Sequence, residues 1–138
     1  MNNKKLTRFL VVSLWLLAAG CATTPSKQAE RLVTPLPKLT SAVDALVRYA
    51  DPNNPVPDDR LVAEAIKDKP ELQQAFRGVP VKVKHDAKNV VLLVCSPDGK
   101  YAWLEDASWT LGVDYIWYLS KPPRPAEFTM DPAQRSGP

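Results

Sequence analysis

Soft metal ligands and catalytic pairs are scarce in this chain. Its 138 residues hold one histidine, His85, and two cysteines, Cys21 and Cys95. Those are too few thiolates and imidazoles for a transition-metal site. There is no C-x-x-C or H-x-x-x-H pair, no G-x-G-x-x-G and no P-loop pattern, so no metal or other cofactor is expected. Long apolar runs are also missing. The best is Phe9 to Ala19, FLVVSLWLLAA. At about 1.5 Å per residue it falls far short of a bilayer core of roughly 30 Å, which excludes a permanent membrane-spanning helix there. No internal repeat is visible.

That short run has a setting. Lys4, Lys5 and Arg8 precede it with no acidic residue, and Ala18-Ala19-Gly20-Cys21 closes it. A basic start, a short apolar stretch and a small-residue exit form the pattern of a secretory signal peptide. The exit resembles the lipobox of bacterial lipoproteins, in which a Leu-like residue and two small residues precede Cys. Ala18 stands where Leu is usual. The resemblance implies cleavage before Cys21, a diacylglyceryl thioether on its sulfur and acylation of its new amino group. The alternative is an ordinary secretory signal with an incidental cysteine. Each buried CH₂ contributes about 0.8 kcal/mol, so two or three chains on one residue hold a protein at a membrane. In the enterobacterial form of the family, Asp after the cysteine retains the protein in the inner membrane. Ala22 in this chain therefore implies the periplasmic face of the outer membrane.

Cleavage also removes the charge. The chain has 18 Lys and Arg against 15 Asp and Glu. Three of the cations lie before Cys21, which leaves 15 against 15. The basic excess says nothing about nucleic acid, which would need a basic patch. Lys82, Lys84 and Lys88 form the nearest one, and it is small, so no nucleic-acid partner is expected.

Composition divides the rest. Residues 21–39 carry Pro25, Pro35 and Pro37 among Thr, Ser, Lys and Gln, which reads as an acylated cysteine and a flexible tether. Residues 121–138 are Pro-rich and read as a tail that either lies on the domain or stays mobile. Between them, 40–120 reads as one small α+β domain: two to three N-terminal helices packed on a small, mainly antiparallel four-stranded sheet. Val43, Leu46, Val47 and Ala50 mark a helix over 41–50, with Thr40 or Ser41 as N-cap. Asp58 or Asp59 caps a second, with Leu61, Val62, Ala65 and Ile66 inward. Pro70 opens a short third, ended at Gly78. In VPVKVKH, Val79, Val81, Val83 and His85 share one face of an edge strand and Lys82 and Lys84 the other. Ser96-Pro97-Asp98-Gly99 suits a type I turn in a bulged hairpin, with Cys95 opposite Tyr101, Leu93 opposite Trp103 and Leu92 opposite Leu104. VDYIWYL reads as the fourth strand. VVLLVC is apolar on both faces, so its second face needs the tail or a partner to cover it.

Chemistry is thin. With Cys21 acylated, Cys95 is the one thiol left, and no internal disulfide is available. It is either a Cys-His nucleophile with His85 or a buried small hydrophobe, and the second reading is preferred. Glu105 and Asp106 point to opposite faces of a strand and read as a charged strand end. Asp51, Asp58 and Asp59 read as loop and cap residues. The remaining feature is aromatic. Tyr101, Trp103, Trp109 and Trp117 lie close in sequence, and such residues either fill a core or hold a partner. Core is favoured for Trp103 and Trp117, and Trp109 is the best candidate for exposure. The expectation is a non-catalytic, membrane-anchored module that binds an envelope protein or a cell-wall component. The alternative is a small periplasmic hydrolase or thiol enzyme using Cys95 and His85.

Overall fold

In the computed structural model, residues 25–110, 115–116 and 124–135 are described. They form an α+β fold with five helices and a three-stranded antiparallel sheet. Helices α1 (Pro25–Leu32), α2 (Pro35–Arg48), α3 (Leu61–Ile66) and α4 (Pro70–Ala75) precede the strands. The strands β1 (Val81–His85), β2 (Val90–Cys95) and β3 (Ala102–Ala107) follow as a meander, and α5 (Pro132–Arg135) comes after them. Tyr115 and Ile116 pair with Glu105 and Leu104 on the outer edge of β3. The rest of the expected fourth strand lies outside the described residues. No described helix is long and apolar enough to cross a membrane.

The tether expected over 21–39 is overturned from Pro25 onward. Ala29, Leu32, Leu36, Leu39 and Val43 are 0–3 % exposed and recur every three or four residues, so one apolar stripe runs from α1 through α2. The prolines that suggested a tether open these helices. Pro25 and Pro35 are first helical residues and Pro37 lies in the first turn, where a backbone N–H has no intrahelical acceptor to lose. Thr40 is therefore no cap. It sits mid-helix, 2 % exposed, and its Oγ1 donates to the Leu36 carbonyl at 3.0 Å. Asp58 caps nothing either. A 3-10 turn, Asp58–Arg60, leads into α3 without a side-chain cap bond. Pro70 opens α4 and Gly78, at φ +69°, turns the chain into β1.

The four helices cover one face of the sheet. Val90, Leu92 and Val94 of β2 and Trp103 and Leu104 of β3 pack there in one cluster with the helix stripe, Leu61, Ala65, Leu72 and Phe76. Val81 and Val83 join it from β1, as alternation predicts. The hairpin register differs from the expected one. Cys95 pairs with Ala102 and Val94 with Leu104, so Trp103 is an extra, bulged residue. The bulge lets both Trp103 and Leu104 enter the helix-side core, which strict alternation would forbid. Gly99 N–H donates to the Ser96 carbonyl at 2.8 Å and Ser96 N–H to the Tyr101 carbonyl at 2.8 Å. Tyr101, expected opposite Cys95, thus faces Ser96.

The chain's own tail covers the other face. Ala126 and Phe128 pack on Leu93, Cys95 and Ala102. Tyr101 bridges Pro125, Ala102 N–H donates to the Arg124 carbonyl at 3.0 Å, and Ala126 N–H to the Lys100 carbonyl at 3.1 Å. Lys82 Nζ donates to the Ala126 carbonyl at 2.9 Å, and Lys84 pairs with Asp131 at 3.3 Å. The folded unit therefore extends beyond 40–120 at both ends.

Candidate functional site

The acidic pair at the end of β3 is not a charged strand end: Glu105 is 0 % and Asp106 2 % exposed. They do face opposite ways, and each organises a segment. Glu105, opposite Leu93, accepts the backbone N–H of Thr129 at 2.9 Å and of Met130 at 3.0 Å, and the Thr129 hydroxyl as well. A buried carboxylate needs such donors, and here the tail supplies them. Asp106, opposite Leu92, accepts from Thr110 Oγ1 at 2.8 Å. Thr110 N–H donates to the Ala107 carbonyl at 3.0 Å, and Ser108 exchanges bonds with Val90 through its backbone N–H at 2.9 Å and its Oγ at 3.0 Å.

These bonds flank Trp109 on both sides. Its indole stands on a turn tied to β2 and to the end of β3, half-buried rather than freely exposed. The other aromatics do not join it. Trp103 is 5 % exposed in the helix-side core and has little surface to offer. Tyr101, 44 % exposed, stands before β3 while Trp109 follows it, some 17 Å or more along the strand direction. Trp117 lies outside the described residues. Neighbours in sequence are spread along a strand and across its two faces, so they form no single aromatic platform.

The Cys95–His85 pairing is corrected by the register. His85 pairs with Val90, at the other end of β2 from Cys95, roughly 17 Å away. The two also lie on opposite faces. His85 Nε2 instead lies 2.9 Å from Asp58 Oδ1 and Nδ1 3.2 Å from the Asp86 carbonyl. Cys95 is 0 % exposed, and burial pushes its thiol up, which keeps it protonated and unreactive. Among the described residues, no group of three His, Cys, Asp or Glu side chains could hold a metal ion.

Several depressions are open to solvent, and two that gather charged side chains escaped the sequence reading. The larger, about 760 Å³, lies between α2 and the end of α3 with the link that follows it, and carries Lys38, Glu64, Lys67, Asp68 and Lys69, charges of both signs. Glu64 and Lys67 are paired with each other, which lowers the carboxyl and raises the amine. The smaller, about 280 Å³, lies between α1 and the β1 entry and carries Gln28, Arg31 and Arg77 over Leu32, Val79 and Trp103. A periodic pattern across the prolines would have revealed α1, and with it the shared face of Gln28 and Arg31. Nothing local to Arg77 signals that it meets them.

No protein-family model matches the chain, and no curated protein or solved structure shows significant similarity to it.

Proposed function

We propose that this chain is a bacterial envelope lipoprotein, acylated on Cys21, held at the periplasmic face of the outer membrane and acting by binding rather than catalysis. Its partner is an envelope protein or a cell-wall component. The observation that carries the reading is the sequence around Cys21: basic residues, a short apolar run, then Ala18-Ala19-Gly20-Cys21. Binding rather than thiol chemistry is supported by Cys95 and His85 lying at opposite ends and on opposite faces of the sheet. In this reading the Tyr115–Ile116 pairing on β3 belongs to a fourth strand of the sheet that the helices cover. The binding residue is Trp109, because its turn is tied down on both sides and a preorganised aromatic costs little to immobilise.

Two measurements test this. Cells fed a labelled fatty acid should label the wild-type chain and not Cys21→Ser; equal label in both overturns the anchor. A photo-crosslinking residue at position 109 should give a discrete adduct that one at the 85 % exposed Tyr49 does not. Identical adducts at both positions overturn the assignment to Trp109.

A further inference from the structure

The cleft beside α2 carries charges of both signs, but a second cleft carries one sign alone. The cleft between α1 and the start of β1 is lined by Gln28, Arg31 and Arg77, and no acidic side chain lines it. Gln28 and Arg31, three residues apart on α1, share a helix face. Arg77 comes from the turn after α4, where Gly78 at φ +69° reverses the chain. Both arginines are exposed, and neither has an ion-pair partner among the described residues. The floor is apolar: Leu32, Val79 and Trp103. Two guanidinium forks and an amide over an apolar floor suit a phosphate that carries an aliphatic or glycerol substituent, since arginine holds phosphate oxygens in pairs.

Position adds the second argument, which rests on the proposed acylation of Cys21. Three residues separate Cys21 from Pro25, the first residue of α1, which makes four steps along the chain. They span at most about 14 Å, and Arg31 lies about 9 Å further along the helix. The cleft is therefore within about 23 Å of the acyl chains, close enough to face the headgroup layer of the leaflet that holds them. We propose that this cleft binds the headgroup phosphate of an anionic phospholipid in that leaflet. The bound headgroup orients the domain on the membrane with α1 and the β1 entry facing it, and leaves the turn of Trp109, at the far end of β3 from the hairpin, pointing away.

The full-length protein in a neutral detergent is titrated with short-chain phosphatidylglycerol, short-chain phosphatidylcholine and inorganic phosphate, followed by phosphorus NMR. Saturable binding of phosphatidylglycerol is expected, with clearly weaker binding of the other two. Arg31→Gln or Arg77→Gln should each weaken it about fivefold, and the double variant more. Both side chains are exposed, and unchanged melting of the variants checks that the fold is kept. Equal binding of inorganic phosphate would reduce the cleft to a general anion site and overturn the headgroup assignment. So would equal binding of phosphatidylcholine, no binding at all, or full affinity in the double variant. The lipid is supplied from solution, so this titration stands or falls separately from fatty-acid labelling of Cys21.

Discussion

On one side of the sheet, Val90, Leu92, Val94, Trp103 and Leu104 meet side chains from four helices. On the other, the described apolar side chains that pack on Leu93, Cys95 and Ala102 are Ala126 and Phe128. The first face is closed by apolar area, the second by an extended segment that has little apolar area to give. A segment without regular structure must place its backbone N–H and carbonyl groups somewhere. This one places them on Glu105, Lys82 and the ends of β3. The contrast teaches that a strand apolar on both faces does not imply an external partner. A dozen residues of the same chain suffice when a buried carboxylate anchors them.

That comparison can be broken from either side. The largest effect is expected on the helix face. Trp103→Ala should cost about 3–5 kcal/mol, the usual loss for a buried Trp, read from chemical denaturation. A cost below 1 kcal/mol would mean that the bulge carries no packing role. Next comes the anchor of the other face. Glu105→Ala removes three bonds to a charged acceptor and should cost about 1.5–3 kcal/mol or more, with faster amide exchange at Thr129 and Met130. Unchanged protection at those two amides would show that the tail is held by something else.

Phe128→Ala is smaller. The ring is half-buried, so about 1 kcal/mol is expected. Its sharper readout is Cys95, which should react with a thiol reagent slowly in the wild type and measurably faster in the variant. The smallest effect belongs to the Lys84–Asp131 pair, which is partly exposed and screened. The Ala133 N–H, then Lys84, hold the Asp131 carboxyl below its ordinary value of 3.8. A lowered folded value stabilises above the ordinary value, and that contribution is lost as pH falls through the lowered one. Asp131→Asn should therefore melt slightly below the wild type near neutral pH, and the gap should close on acidification. A constant gap down to strongly acidic pH would remove the titration from the account.

Local pattern determined a good deal by itself. Alternation placed Val81, Val83 and His85 on one face of β1 and Lys82 and Lys84 on the other, because a strand has no choice about its period. Pro70 marked the start of α4, Gly78 the turn beyond its end that leads into β1, and Ser96-Pro97-Asp98-Gly99 the hairpin turn, because φ restrictions are local. Where Pro25, Pro35 and Pro37 were read as part of a tether, the reading failed. Pro25 and Pro35 are tolerated at a helix start, and only a tertiary core made it worthwhile to order Ala29 through Leu39.

Three features were settled only by tertiary structure. The bulge at Trp103 depends on how much volume the helices leave beside Leu104. The burial of Glu105 depends on donors from Thr129 and Met130, more than twenty residues away. The Arg31–Arg77 cleft joins α1 to a turn some 46 positions later. None leaves a periodic or neighbouring trace, because each is a meeting of segments distant in sequence. What a chain can read from its nearest residues is dihedral preference and period; which charges end up buried, paired or left free is decided by the segments that close over them.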